Sequence, residues 1–465
     1  MIIGSALFMQ MLDSTVISNA LPAMARALRE DPVTLNLAIT AYLLSSAVFL
    51  PISGWAADRF GAKHIFRFAI VGFAVSSLLC GLSQNLAELV GARILQGVAG
   101  AMMSPVGRLV LLKTVPKSEL VRALSYLTMP AMLGPVLGPP VGGFIVTYWS
   151  WRWIFFINIP VAAFCFVLTG LFIANVREEE VPKLDWRGFA LTGFGLAGMV
   201  FGFENLGRGL LPFTTVSALL AGGAVLLLIY GLHARRTPHA ILDLSMFRLP
   251  SFMTSTLGGF FLRMSAGATP FLLALLLQLG FGMTALEAGL ITFTSAAAAL
   301  LMKVTARPII NRFGFKPVLV VNTMITSAAF MSYGLFRTDT PRLVMIATLL
   351  VGGFFRSLQF TAMNALAYAD IDTARMSGAT SLSGVAQQLS QSLGIGLAAI
   401  LLGMIRQWHG SPRLSAGDVS PAFLIIGAVS FLALAFFLPL PADVGAELSG
   451  RAPQGLLAAA GEPAE

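Results

Sequence analysis

Six ionisable side chains stand inside long apolar runs: Asp13, Arg93, Arg108, Arg263, Lys303 and Arg356. A carboxylate in such a place can take up and release a proton, since burial raises its proton affinity and a nearby cation lowers it. Arginine there suits anions, because its planar fork gives paired hydrogen bonds to a carboxylate. Each charge at mid-bilayer costs roughly 2.5–3.5 kcal/mol on insertion scales. The inventory is lopsided, because Asp13 is the one acid deep within a run and Glu204 falls at a run's end. One acid offsets about one cation, so the remaining cations need another partner. Arg108 and Lys303 lie near the ends of their runs and have a bland alternative, snorkelling to the interface. Arg263 and Arg356 are nearer the middle and are expected to face one cavity as ligands for an anion. Hydration and backbone carbonyls are the plainer reading for both. Weaker polar candidates for substrate contact are Asn19, Gln96, Gln359, Asn364 and the stretch SGVAQQLSQSLG, where Gln387, Gln388 and Gln391 share a helical face. Interhelical hydrogen bonding accounts for these equally well.

The elements that carry these residues follow from composition. The 465 residues are 57% hydrophobic and 11% charged, against about 25% charged in soluble domains. Runs long enough to cross a bilayer recur from end to end. Fourteen spans are predicted, near 2–24, 33–56, 65–83, 88–112, 122–147, 153–175, 187–206, 213–232, 252–279, 285–308, 317–336, 343–365, 378–404 and 421–440. The first is read as a span rather than a cleaved leader. Strand-length alternation of a β-barrel is absent. With an even number of spans both ends share one side. Putting them in the cytoplasm of an inner-membrane protein places most Lys and Arg in inside loops, such as RFGAKHIFR and KTVPKSELVR. The net charge of +9 then reflects topology rather than nucleic-acid binding. Cys80 and Cys165 sit in apolar runs and the four histidines are scattered, so neither a disulfide framework nor a metal site is expected.

An internal repeat divides the chain. DRFGAK begins at Asp58 and NRFGFK at Asn311, each after a second span of its half. Six spans are too few for that offset, and six plus an inserted pair suit it. The predicted division is 1–180 for one six-helix half, 181–249 for two inserted helices and their linkers, 250–442 for the second half and 443–465 for a mobile cytoplasmic tail.

Several stretches match a known pattern. GWAADRFGAKHIF holds Gly54, Asp58, Arg59, Gly61 and Lys63; RILQGVAGAMMSP holds Arg93 and Gln96, three apart on one helix face; GPVLGPPVGG holds Gly134, Gly138, Pro139, Gly142 and Gly143. With LDSTVISNALP and WRWIFFINIP, they resemble the major facilitator superfamily over nearly the whole chain. Within it the likeness is to the fourteen-span drug:proton antiporters, the EmrB/QacA-like branch and its MdtD-like efflux proteins. The resemblance implies that the first motif locks one state of alternating access and that Arg93 takes part in proton coupling. It also implies that the glycine–proline helix belongs to an antiporter, although Ser125 stands where that motif has an earlier glycine. Asp13 is expected to pair with Arg93 and to carry the proton.

The function expected is proton-coupled export of a small molecule by alternating access, with no catalytic chemistry and no cofactor beyond the proton gradient. Cationic-drug exporters of this branch use membrane-embedded acids. The second half here offers none, so the cavity is expected to favour an anion such as citrate or a metal–citrate complex. Broad efflux of amphipathic compounds, import on the same scaffold and a non-transporting membrane sensor are the alternatives.

Overall fold

The computed structural model describes residues 2–30, 32–116, 119–175, 177–178, 180–206, 211–283, 285–409, 416–441 and 443–449. All regular structure among them is helical. In chain order the helices are α1 (Ile2–Leu28), α2 (Pro32–Phe49), α3 (Ser53–Phe60), α4 (Ala62–Leu82), α5 (Leu86–Thr114), α6 (Leu120–Tyr148), α7 (Trp153–Phe156) and α8 (Asn158–Phe172). Then follow α9 (Trp186–Asn205), α10 (Phe213–Arg236), α11 (Pro250–Met253), α12 (Gly259–Ala274), α13 (Ala285–Phe313), α14 (Phe315–Tyr333) and α15 (Arg342–Leu366). The chain closes with α16 (Met376–His409), α17 (Ala416–Ser430), α18 (Leu434–Phe437) and α19 (Ala446–Ser449). The expected tail beyond residue 449 lies outside the described residues.

Eleven helices among the described residues are long and apolar enough to cross a membrane, fewer than the fourteen expected. α1, α6 and α9 have 27, 29 and 20 residues but fall outside that count, and the apolar part of α1 is confined to Ile2–Ile17. Two predicted spans change helical form part-way while staying helical. Pro51 tightens the chain between α2 and α3 into a 3₁₀ turn, and α7 is offset from α8 at Ile157. The span carrying Arg263 holds two π-helical turns, Thr254–Gly258 and Leu275–Gly280, on either side of α12.

Local chemistry sets the ends. Asn85 accepts from the Glu88 backbone N–H at 2.9 Å while Glu88 accepts from that of Gln84 at 2.8 Å, a reciprocal cap that starts α5. The repeat is visible in the backbone, since Gly61 and Gly314 both have positive φ, at 92° and 83°. That conformation suits glycine and turns α3 into α4 and α13 into α14.

Small residues fix the packing. Gly134, Gly138 and Gly142 recur every four residues on α6 and face Met11, Leu12, Thr15 and Val16 of α1. Among the inserted helices, α9 touches both sides of the bundle, at Val48 through Gly193 and at Gly396 through Phe203. α10 is largely outward-facing.

One apolar core joins the early and late helices around the α3–α4 turn, with Phe66, Val106 and Leu120 beside Met302, Phe315 and Leu366. At the opposite end the core splits, with Leu12, Leu89 and Phe155 in one cluster and Leu272, Leu349 and Phe423 in another. The described hydrogen bonds between early and late helices gather at the joined end. Gly54 N–H donates to Ser381 Oγ at 2.9 Å, Ser53 and Ser381 hydroxyls lie 3.0 Å apart, and Ser377 donates to Asp58. Arg307 pairs with Glu119 at 2.7 Å, both partly exposed. Such a pair contributes little, so Glu119→Gln is expected to change stability by less than about 1 kcal/mol, read by thermal unfolding in detergent. A larger loss would make this contact a principal tie.

Candidate functional site

Asp13 and Arg93 meet in the first half. Arg93 Nη1 donates to Asp13 Oδ2 at 2.6 Å, and both side chains are sealed from solvent. Gln96, one turn along α5, accepts from Arg93 at 2.5 Å and donates to Asp13 Oδ1 at 3.2 Å and to Ser77 at 2.7 Å. Gln96 therefore belongs to the ion pair rather than to the expected set of substrate ligands. Arg93 Nε also reaches the Ala38 carbonyl at 3.3 Å, and its guanidinium stacks on the Tyr42 ring at 4.5 Å. α2 comes this close because Gly97 and Gly100 face Ser45 and Tyr42.

Asn158 was not singled out in the sequence. It donates to Asp13 Oδ1 at 2.9 Å and to Ser77 at 3.0 Å. It lies within WRWIFFINIP, and an amide buried in that apolar motif was the available signal. A second buried acid was also missed. Asp418 sits in the first turn of α17, ahead of the predicted span, and accepts from His409 Nδ1 at 2.6 Å.

The remaining intramembrane cations are distributed rather than gathered in one place. Lys303 is 8% exposed and donates to Thr361 at 2.7 Å, so it is held inside and not snorkelled. Arg356 is half-buried and donates to Ser295 at 3.2 Å. Arg263 is 4% exposed and donates to Asn364 at 3.0 Å. Arg263 and Arg356 share no described hydrogen-bond partner. Arg108 donates to Tyr368 at 3.3 Å, four residues on from the Asn364 that accepts from Arg263.

Other predicted residues sort by environment. Gln359 is fully buried and donates to Thr323 of α14 at 3.0 Å, which makes it an interhelical tie rather than a cavity ligand. Gln388 and Gln391 are half-buried on α16 with no side-chain hydrogen bond described. The side chains of Asn19, Pro139 and Gly143 lie outside the described residues. Lys63 donates to the Gly170 carbonyl at 2.8 Å, tying α4 to α8, whereas Arg59 is exposed. Lys113 bridges Asp58 at 3.4 Å and Glu178 at 2.6 Å, joining the α3 motif to the linker before α9.

A cavity of about 1060 Å³ opens beside this motif, lined by Trp55, Asp58, Lys183, Asp243 and Arg375. It lies between the two linkers of α9 and α10, apart from the buried charges. Burial alone would raise the Asp243 carboxyl, but hydrogen bonds from Ser245 and Arg375 hold it below the ordinary carboxylate value.

A sealed acid–arginine pair thus lies inside an apolar helical bundle whose core is joined at one end and split at the other. The chain matches the model of the Major Facilitator Superfamily over residues 3–254 and 255–461, and it belongs to that family. It is 38% identical over 460 residues to a Salmonella heidelberg protein named for multidrug resistance, MdtD, covering 98% of this chain and 96% of that one. The namesake from Salmonella typhimurium is 38% identical over 464 residues, with the same coverage. Two solved structures share the fold. The human organic anion transporter MFSD10 aligns with a TM-score of 0.68 and 14% identity over 94% of this chain and 98% of its own. The proton:xylose symporter XylE aligns with 0.66 and 16% over 98% and 97%.

Proposed function

We propose that the chain is a proton-coupled exporter of small molecules, working by alternating access in the cytoplasmic membrane. The buried Asp13–Arg93 pair carries the reading: among the described residues it is the one acid–base pair sealed within the first half, and it ties α5 to α1, the helix that also packs against α6. Asp13 is the proton carrier in this scheme, and Arg93, Gln96 and Asn158 hold it in place. In this reading six spans, an inserted pair and six more cross the membrane, with both termini in the cytoplasm. The joined end, rich in basic loop residues, is then the cytoplasmic one, and the conformation is open outward.

Arg263, Lys303 and Arg356 have hydroxyl or amide partners and no described carboxylate. An intramembrane cation without a counter-ion marks a pathway for negative charge. The cargo is therefore an anionic or carboxylate compound, such as citrate or metal–citrate. The names of the MdtD relatives favour a second reading, efflux of amphipathic drugs.

Proton flux in reconstituted vesicles under an imposed pH gradient separates the two. Citrate, metal–citrate and a lipophilic cationic drug are added in turn to the unaltered protein, Asp13→Asn and Arg356→Gln. The anion reading expects flux with citrate or its metal complex, at least about tenfold lower in Arg356→Gln and absent in Asp13→Asn. Flux with the drug alone, untouched by Arg356→Gln, leaves a multidrug exporter. Unchanged coupling in Asp13→Asn removes the carrier role.

A further inference from the structure

Arg108 rises from α5 in the first half and Arg263 from α12 in the second, and both reach the end of α15. Arg108 Nη1 donates to the Tyr368 hydroxyl at 3.3 Å and Arg263 Nη2 to Asn364 Oδ1 at 3.0 Å. Asn364 and Tyr368 are one turn apart, so the two guanidiniums converge on one patch. Two like charges therefore face one patch. Neither has a carboxylate within ion-pair reach among the described residues, and the hydroxyl and amide cancel no charge. Room is made for Arg263 by Gly259, where a Cβ would meet Nη1 at 2.8 Å and Met363 Sδ at 3.2 Å. Arg263 is almost wholly buried whereas Arg108 is partly exposed, so the patch is not sealed.

We infer that this patch binds a small oxyanion, a carboxylate or phosphate group, which bridges Arg108 and Arg263 and holds the joined end closed. The two arginines belong to opposite halves. Opening that end separates them, and the anion keeps one partner of two. A ligand favours whichever state it binds better, so occupancy stabilises closure and vacancy leaves like charges that oppose it. The inference shares with the proposed function the premise that buried arginines meet an anion. It differs in that this anion acts on closure whether or not it is cargo.

Closure can be read without transport. Ser53 and Ser381 hydroxyls lie 3.0 Å apart, so Ser53→Cys with Ser381→Cys, in a Cys80→Ala/Cys165→Ala background, cross-links only when the end is closed. The full chain is assayed in neutral detergent with succinate against chloride of equal ionic strength. A second arm uses nanodiscs with and without phosphatidylglycerol, which separates a free anion from a lipid headgroup. Succinate or the anionic lipid is expected to raise the cross-linking rate about tenfold. Arg108→Gln and Arg263→Gln are each expected to abolish that response while basal cross-linking is kept or increased, since a repelling charge is gone. No response in either arm overturns the inference, as does an equal response in both variants. Arg108→Gln, at the less buried position, decides the matter if Arg263→Gln fails to fold. Proton flux without an anion response would sink the functional reading and leave this result standing, and the reverse also holds.

Discussion

Arg93→Ala is expected to lose about 3–5 kcal/mol of stability, the largest single effect in the first half. The substitution leaves the Asp13 carboxyl sealed from water and without its cation. It also removes the donor to the Ala38 carbonyl and the cation stacked on Tyr42. Deleting both members should cost less than deleting Arg93 alone, because an apolar pair leaves no buried charge. Asp13→Ala/Arg93→Ala is therefore expected to recover part of the loss. Asp13→Asn should be milder than Arg93→Ala, since an amide oxygen still accepts from Asn158 and Gln96. Unfolding of each variant in one detergent measures the cycle. A loss below about 1 kcal/mol in Arg93→Ala, or a double variant no better than the single, would show that the pair does not hold α1 to α5.

The pair is legible in the sequence because its constraint is stark. A single acid among several intramembrane cations can answer only one of them, and the motif around Arg93 names which. The repeat is legible for a similar reason, as glycine at Gly61 and Gly314 is what positive φ requires. Partners across helices are less visible. Nothing in the spacing of Arg108 or Arg263 shows that α5 and α12 bring them to Asn364 and Tyr368, because convergence depends on how the halves dock. Gln359 reads as a cavity residue by type, but its side of α15 faces Thr323 on α14. Span counting is limited by hydropathy itself. Gly193, Gly195, Gly198 and Gly202 serve helix packing in α9 and add little hydrophobicity, so its apolar signal is weak. The changes of helical form near Pro51 and Ile157 follow local backbone chemistry that a hydropathy window averages away.

Gly54→Ala is expected to shift the population away from closure by about tenfold or more, although alanine is the better helix former. Gly54 lies in α3 with its Cα against the start of α16. A Cβ there would meet the Ser377 carbonyl oxygen at 2.6 Å and Ser381 Oγ at 2.7 Å. A hydroxyl can rotate away, but a carbonyl inside a helix cannot. Overpacking of this kind costs about 1–3 kcal/mol. Here it falls on one conformation only, since parting the halves frees the methyl group. A cost confined to one state changes the equilibrium by its full amount. Ser53→Cys reports the change, because Ser53 is fully buried in the closed arrangement and its alkylation by a water-soluble maleimide requires opening. The rate should rise about tenfold in Gly54→Ala. Gly91→Ala is the control: its added Cβ has nothing within 4 Å, so alkylation should stay unchanged. Export needs both states, and a protein held away from closure should turn over more slowly while folding normally. Equal alkylation in the two alanine variants would mean that α3 and α16 have room to yield, and that closure is governed by the charges beneath them.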